Sequence, residues 1–215
     1  NKSHAQVFIV GAGPVGLLTA LVLAMQGVSC IVIDSEPTLT KDMRAGTFHP
    51  PTLEMLAQVG VADQMLALGI RVPRWQSCDL TFGLVAEWDL DLLRNDTPYP
   101  YRLHLEQHRL TPILLEQLKK FAHVQVLFNH RFESLVQNQD DISVTVKTPE
   151  GFHTWRASWL VGADGGRSQV RKSAGIEFAG YTWPERYSVI STDFDFGRLG
   201  YTENAYISDP DQWVA

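Results

Sequence analysis

Cysteine is scarce in this chain. The only two among 215 residues, Cys30 and Cys78, match no metal-binding spacing, and both read as reduced packing residues rather than ligands or catalytic thiols. Basic charge is also short. Lys and Arg number 18 against 24 Asp and Glu, a formal net charge of -6, so no basic face is available to neutralise nucleic-acid phosphates, and a small-molecule ligand is the better expectation. Long apolar runs are missing too: Gly11, Gly13, Gly16 and Gly27 divide the stretch 7–33, and its longest uninterrupted run, 17–26, is too short to span a bilayer. With no membrane span and no secretion signal, a cytoplasmic location is expected. Internal repeats, low-complexity tracts and Pro/Gly-rich linkers are absent, so a domain boundary must be marked by a change of pattern.

What is present begins with a core. An apolar content of 45% over 215 residues is enough to bury one, in one domain or two small ones. Val7-Phe8-Ile9-Val10 is a β-branched and aromatic run suited to a strand buried on both faces of a parallel sheet. Gly11-Ala12-Gly13-Pro14-Val15-Gly16 follows at once, then an apolar helix over 17–25 that Gly27 can end, then a second buried strand over 29–33 with Asp34 and Ser35 at its tip. This is a complete βαβ unit. Gly11 permits the tight turn, Gly13 lets the backbone approach a pyrophosphate, and Gly16 lets the helix lie close on the strand. The phosphates would face free helix N–H groups and the positive end of the helix dipole. Asp34, 18 residues after Gly16, is placed to accept hydrogen bonds from both ribose hydroxyls of an adenosine. Dinucleotide binding follows, but NAD and FAD share the half recognised here.

A second motif separates them. Trp159-Leu160-Val161-Gly162-Ala163-Asp164-Gly165-Gly166-Arg167-Ser168-Gln169-Val170-Arg171 predicts a buried strand over 159–161, a glycine turn, and a short helix over 168–173 that Gly175 can stop. The run closely resembles the second motif of the para-hydroxybenzoate hydroxylase family of FAD-dependent aromatic-ring monooxygenases. In that family the pair corresponding to Asp164-Gly165 contacts FAD, and the region also serves the nicotinamide cofactor.

The resemblance extends from about residue 7 to about residue 180. Arg44-Ala45-Gly46 precedes a proline-started helix, Pro50-Pro51-Thr52-Leu53-Glu54-Met55-Leu56, that closes near Gly60. The resemblance implies that Arg44 reaches FAD, and a guanidinium fork suits diphosphate oxygens. Gln107, ahead of a helix that Thr111 and Pro112 are expected to start, matches a glutamine on the flavin side of the cofactor. Between a third sheet strand near 124–128 and the second motif, period-two patterning over 132–137, 142–147 and 152–156 predicts a three-stranded meander.

The fold expected is therefore α/β: a doubly wound, Rossmann-like FAD-binding domain over 1–71 and 102–180, carrying the meander, with part of a β-rich substrate domain over 72–101 and 181–215. In the latter, 78–82 and 86–90 are strand candidates, and 187–196 is expected to return to their sheet. Trp75, Trp88, Tyr99 and Tyr101 can line an aromatic pocket or simply fill the core. His104 and His108 have helical metal-pair spacing but no third ligand and no HExxH order, so no metal is expected. Among the histidines only His49, near Arg44, is worth watching.

The resemblance implies an enzyme that uses FAD, with NAD(P)H as co-substrate and O2, to hydroxylate a small phenol-like substrate. No catalytic residue is assigned, since the cofactor carries the chemistry. Two departures stand out. Many members carry Glu where this chain has Asp34, and the third family motif, a Gly-Asp segment before a glycine-rich helix start, is not found. An N-terminal fragment, inactive alone and with unpaired sheet edges that favour association with another chain, is the expectation. A flavin epoxidase, halogenase or reductase of the same superfamily, or a non-catalytic FAD-binding protein, remains open.

Overall fold

In a computed structural model, which describes residues 4–41 and 44–215, the chain forms two compact units, residues 1–45 with 106–179 and residues 46–105 with 180–215. The pattern change in the sequence falls elsewhere, at 71/72 and 101/102, so 46–71 and 102–105 group with the second unit.

The first unit opens with β1 (His4–Val10), α1 (Pro14–Met25) and β2 (Cys30–Ile33). Gly27, at φ +76°, ends α1: its N–H donates to Ala24 O and that of Val28 to Leu23 O, which satisfies two of the helix's last carbonyls. The second unit begins with β3 (Thr47–Phe48), α2 (Pro50–Gln58), α3 (Ala62–Leu68), β4 (Ile70–Val72), β5 (Arg74–Asp79), β6 (Gly83–Asp89) and β7 (Arg102–His104). The chain then returns to the first unit as α4 (Gln107–Leu118), β8 (Val124–Leu127), β9 (Arg131–Gln137), β10 (Ile142–Thr148), β11 (Gly151–Gly162) and α5 (Gln169–Ser173), and ends in the second with β12 (Ala205–Ser208) and β13 (Trp213–Val214).

One six-stranded sheet, in the order β8-β2-β1-β11-β10-β9, organises the first unit. Its first four strands are parallel and its last three an antiparallel meander, with β11 belonging to both. Alternation along β1 and β2 sends Phe8, Val10, Ile31 and Ile33 to one face, where they join Phe132, Val144 and Val146 of the meander in a common core. Ile9 and Val32 point the other way and are fully buried, as are Leu17 and Leu21 of α1 and Leu114 of α4. Helices thus cover one face and the meander the other. In the second unit β3-β7-β4 form one small sheet and β13-β12-β5-β6 another.

Several local expectations change. The run 159–161 is not a separate buried strand: β11 passes through the meander and continues as the neighbour of β1, leaving Trp159 70% exposed. Helix α4 starts at Gln107, with Thr111 and Pro112 inside it. Pro112 removes the N–H that would reach the His108 carbonyl, and the Thr111 hydroxyl donates to that oxygen instead, at 3.4 Å. Residues 80–82 turn between β5 and β6 rather than extend a strand, because the Asp79 carboxylate accepts the N–H groups of Thr81 and Phe82. Residues 187–196 are not a strand; β12 pairs with β5 instead, in parallel. No helix among the described residues is long and apolar enough to cross a membrane.

Candidate functional site

The parallel strands set the position of the site. From β1 the chain moves to β2 and β8 on one side, while β11 lies on the other, so the loops leaving β1 and β11 part at the carboxyl edge of the sheet. Ligands of open α/β sheets bind in the crevice opened by such a reversal. Both glycine motifs follow these two strands directly. An open cleft of about 770 Å3 lies there, a size suited to a small organic ligand.

The turn after β1 is built to leave backbone exposed. Gly11 has φ +108°, and its N–H donates to Ile33 O at 2.8 Å. Gly16 fixes α1 against that turn, since a Cβ on it would stand 1.8 Å from the Gly11 carbonyl oxygen. A Cβ on Gly13 would meet nothing within 4 Å, which leaves its side open toward the cleft. Gly13 caps α1 without a side chain, Pro14 has no N–H, and no acidic residue stands in the first turn. The helix therefore presents uncompensated N–H groups and positive dipole to the cleft.

Asp34 sits at the tip of β2. Its carboxylate accepts the Ala12 N–H at 2.7 Å and the Glu36 N–H at 3.0 Å, tying the strand end to the glycine turn. Each carboxylate oxygen has a second lone-pair direction, so capacity for further donors remains. An anion-binding helix end beside a strand-end carboxylate suits a nucleoside diphosphate, with phosphates on the first and ribose hydroxyls on the second.

Asp164 behaves differently. One of its oxygens accepts the Ser168 hydroxyl at 2.5 Å, and the other accepts the N–H groups of Gln169 at 2.6 Å and Val170 at 3.2 Å. Ser168 Oγ in turn accepts the Arg171 N–H at 3.0 Å. The carboxylate is thus engaged by the start of α5, and Gly165, at φ +79°, turns the backbone between them.

The cleft is lined by Gly11, Ala12, Gly13, Pro14, Val15, Asp34, Ser35, Arg44, Gln107, Asp164 and Gly165 together. Gly16 alone of the sequence-derived set lies outside the lining, packed beneath the turn. His49, which belongs to the second unit, is not among the lining residues. Sequence reasoning missed Phe128, His130, Arg131, His108 and Arg167, which share the lining. Position was the available signal for Phe128 and His130, which come directly after the third parallel strand. The His130 N–H donates to Asp34 O at 2.8 Å, and its ring Nδ1 lies 2.7 Å from Phe128 O. Among the described residues no group of three metal-ligating side chains is gathered.

The comparisons agree with this geometry. Residues 4–207 match the family model described as FAD binding domain. The chain is 36% identical over 210 residues to para-nitrophenol 4-monooxygenase of Pseudomonas sp. (strain WBC-3), covering 97% of this chain and 52% of that protein. It is also 36% identical over 197 residues to 6-hydroxy-3-succinoylpyridine 3-monooxygenase of Pseudomonas putida (strain DSM 28022 / S16), covering 91% and 50%. The chain therefore spans about half the length of these relatives. Among solved structures, p-nitrophenol 4-monooxygenase from Pseudomonas putida DLL-E4 superposes with a TM-score of 0.90 at 34% identity, over 98% of this chain and 54% of that one. A ternary complex of aklavinone-11 hydroxylase with FAD and aklavinone gives a TM-score of 0.69 at 34% identity, over 80% and 35%. With its glycine turn, strand-end acid and second motif around one cleft, the chain belongs to the FAD binding domain family.

Proposed function

We propose that the chain binds FAD in this cleft and serves a monooxygenase that hydroxylates a small phenol-like substrate with NAD(P)H and O2. The observation that carries the reading is the junction of the uncapped α1 terminus with the Asp34 carboxylate at the strand-order reversal, inside a family match that covers nearly the whole chain. The backbone of Gly13, Val15 and Gly16 takes the diphosphate, Arg44 adds a guanidinium to it, and Asp34 takes the adenosine ribose. Ala12 and Ser35 flank those groups. Gln107, at the first turn of α4, and the backbone of Asp164-Gly165 extend the site along the cofactor. When bound, the flavin supplies the redox and oxygen chemistry; the protein orients it and keeps water away.

The unit of residues 1–45 and 106–179 is the cofactor domain in this reading, and the second unit serves the substrate. NAD(P)H as co-substrate supports a cytoplasmic location. Unpaired edges at β6 and β13 support association with a further chain.

Two measurements test the reading. Titrating the chain with FAD should quench flavin fluorescence saturably, and ADP should compete. The full-length protein, loaded with FAD, should oxidise NAD(P)H faster when 4-nitrophenol or another phenol is added, and release a hydroxylated product. Saturable FAD binding without phenol-dependent oxidation would favour a superfamily relative of different chemistry; no FAD binding by either protein would reject the site.

A further inference from the structure

Helices α1 and α4 reach the cleft side by side. Helix α1 leads into β2 and α4 into β8, and these strands are parallel neighbours, so both helices run the same way and both start at the carboxyl edge of the sheet. They also pack on each other. Helix α4 begins as α1 does, without a side-chain cap: the Glu106 carboxylate is held by Arg109 at 2.9 Å rather than by the helix's first N–H groups. Gln107, His108 and Thr111 lie on one face of α4, and that face lines the cleft. The roles assigned so far use Gln107 and leave His108 without one.

The His108 ring carries an unpaired atom. Its Nδ1 is buried and makes no hydrogen bond within the chain. The backbone of the same residue is accounted for separately, since its carbonyl accepts the Thr111 hydroxyl at 3.4 Å. Buried polar atoms are almost always paired, and one left over on the wall of a ligand cleft points to a partner on the ligand. An imidazole Nδ1 donates or accepts according to tautomer. Between two helix N-termini, where partial positive charge gathers, the group that fits is an anion, which accepts; Nδ1 is then the donor.

We propose that His108 is a further cofactor-binding residue, whose Nδ1–H donates to a diphosphate oxygen of bound FAD. The diphosphate is thereby held between the first turns of α1 and α4 instead of by α1 alone. This inference rests on the FAD reading and deepens it: a side-chain donor from a second helix joins the glycine turn and Arg44, and it supplies a single directed bond where the turn supplies backbone N–H groups.

FAD and ADP are the probes, titrated against the chain by flavin fluorescence and calorimetry. His108→Leu should weaken both at least about tenfold and by the same factor, because the bond lies in the half that they share. His108→Asn, whose amide nitrogen can stand where Nδ1 stands, should stay within about threefold of the parent, whereas His108→Gln, whose amide reaches the place of Nε2, should lose as much as the leucine variant. Glutamine is nearer to histidine in size, so this order separates a directed bond from packing. The urea midpoint of His108→Leu should match or exceed the parent's, since a buried polar atom without a partner has been removed. Unchanged FAD affinity in a folded His108→Leu chain, a loss confined to FAD with ADP unaffected, equal losses for the asparagine and glutamine variants, or a lowered midpoint in the leucine variant would each overturn the assignment. Should His108→Leu fail to fold, the asparagine and glutamine variants decide. A parent chain that binds neither probe brings down the FAD reading and this inference with it; a parent that binds both, with His108→Leu binding them equally well, leaves that reading standing and rejects His108 alone.

Discussion

Gly11 and Ala163 pack backbone against backbone. A Cβ on Gly11 would stand 2.3 Å from the Ala163 carbonyl oxygen, and the Ala163 N–H donates to Val10 O at 2.7 Å. The two glycine motifs, some 150 residues apart in the chain, are therefore one construction: the loop after β11 lies on the turn after β1.

Gly11→Ala should be severely destabilising. It adds the 2.3 Å clash to a backbone at φ +108°, a conformation that L residues rarely adopt. Strain and overpacking together amount to about 2–6 kcal/mol. Gly13→Ala, at φ -73° with open space around the new methyl, should change stability by less than about 1 kcal/mol. Urea denaturation compares them, and equal midpoints would mean that the two loops are not packed as described.

Asp34→Ala should weaken FAD binding by roughly tenfold to a hundredfold, because charge-assisted hydrogen bonds to the ribose disappear. The same change frees the Ala12 N–H, so part of the loss arises in the turn itself. Asp34→Asn keeps one acceptor and should fall between. Gly13→Val should fold, since nothing stands within 4 Å of its Cβ, yet bind FAD poorly because the new side chain fills the diphosphate's approach. A Gly13→Val chain with undiminished FAD affinity would place the diphosphate elsewhere.

Asp164→Ala should loosen α5. The carboxylate satisfies two of that helix's first N–H groups and holds the Ser168 hydroxyl, and loss of a cap of this kind costs about 1–2 kcal/mol. Hydrogen exchange at the Gln169 and Val170 amides should quicken well beyond that of β1. If those amides keep their protection in the variant, the cap assigned to Asp164 is wrong.

The parts of this fold that were legible in the sequence are those encoded locally. Val7-Phe8-Ile9-Val10, the glycine turn, the helix and Asp34 follow one another within about 30 residues, and each step has its own turn or cap signal. Elements that depend on distant partners were not legible. Strand β11 carries alternation over 152–156 and an apolar run over 159–161, which look like two strands because the residues change neighbours partway, from β10 to β1. Trp159 falls on an uncovered face despite its apolarity. Helix α4 begins at Gln107 after Glu106, which makes no side-chain cap, while Thr111-Pro112 imitates a helix start. The second unit's expected strand at 187–196 lies eight residues before β12 (Ala205–Ser208), which shows the same limit: nothing local tells which segment will pair with β5. Within the cleft, Gly11, Gly13, Asp34 and Asp164 stand out in the sequence through their motifs, whereas Phe128 and His130 join the lining through topology.

The last prediction concerns acid stability. Burial first, then the Arg102 charge, holds His49 below the ordinary imidazole range. His104 is lowered by burial, by Arg102 and by His49, with Glu203 pulling the other way. Unfolding returns both rings to water and to a pKa of about 6.5. Between the lowered folded values and that figure the unfolded chain binds more protons than the folded one, so unfolding free energy rises with pH across the window. The contribution is complete above the unfolded pKa and is lost as pH falls through the folded values. Most carboxylates titrate lower, near pH 4, so the interval from about pH 5 to 7 isolates histidine. Urea midpoints measured across that interval should fall steadily as the solution is acidified. His104→Gln, which cannot take up a proton, should flatten the slope, and His49→Gln combined with it should flatten it further. A double variant that loses stability on acidification as steeply as the parent would show that these two rings are not held neutral by their surroundings.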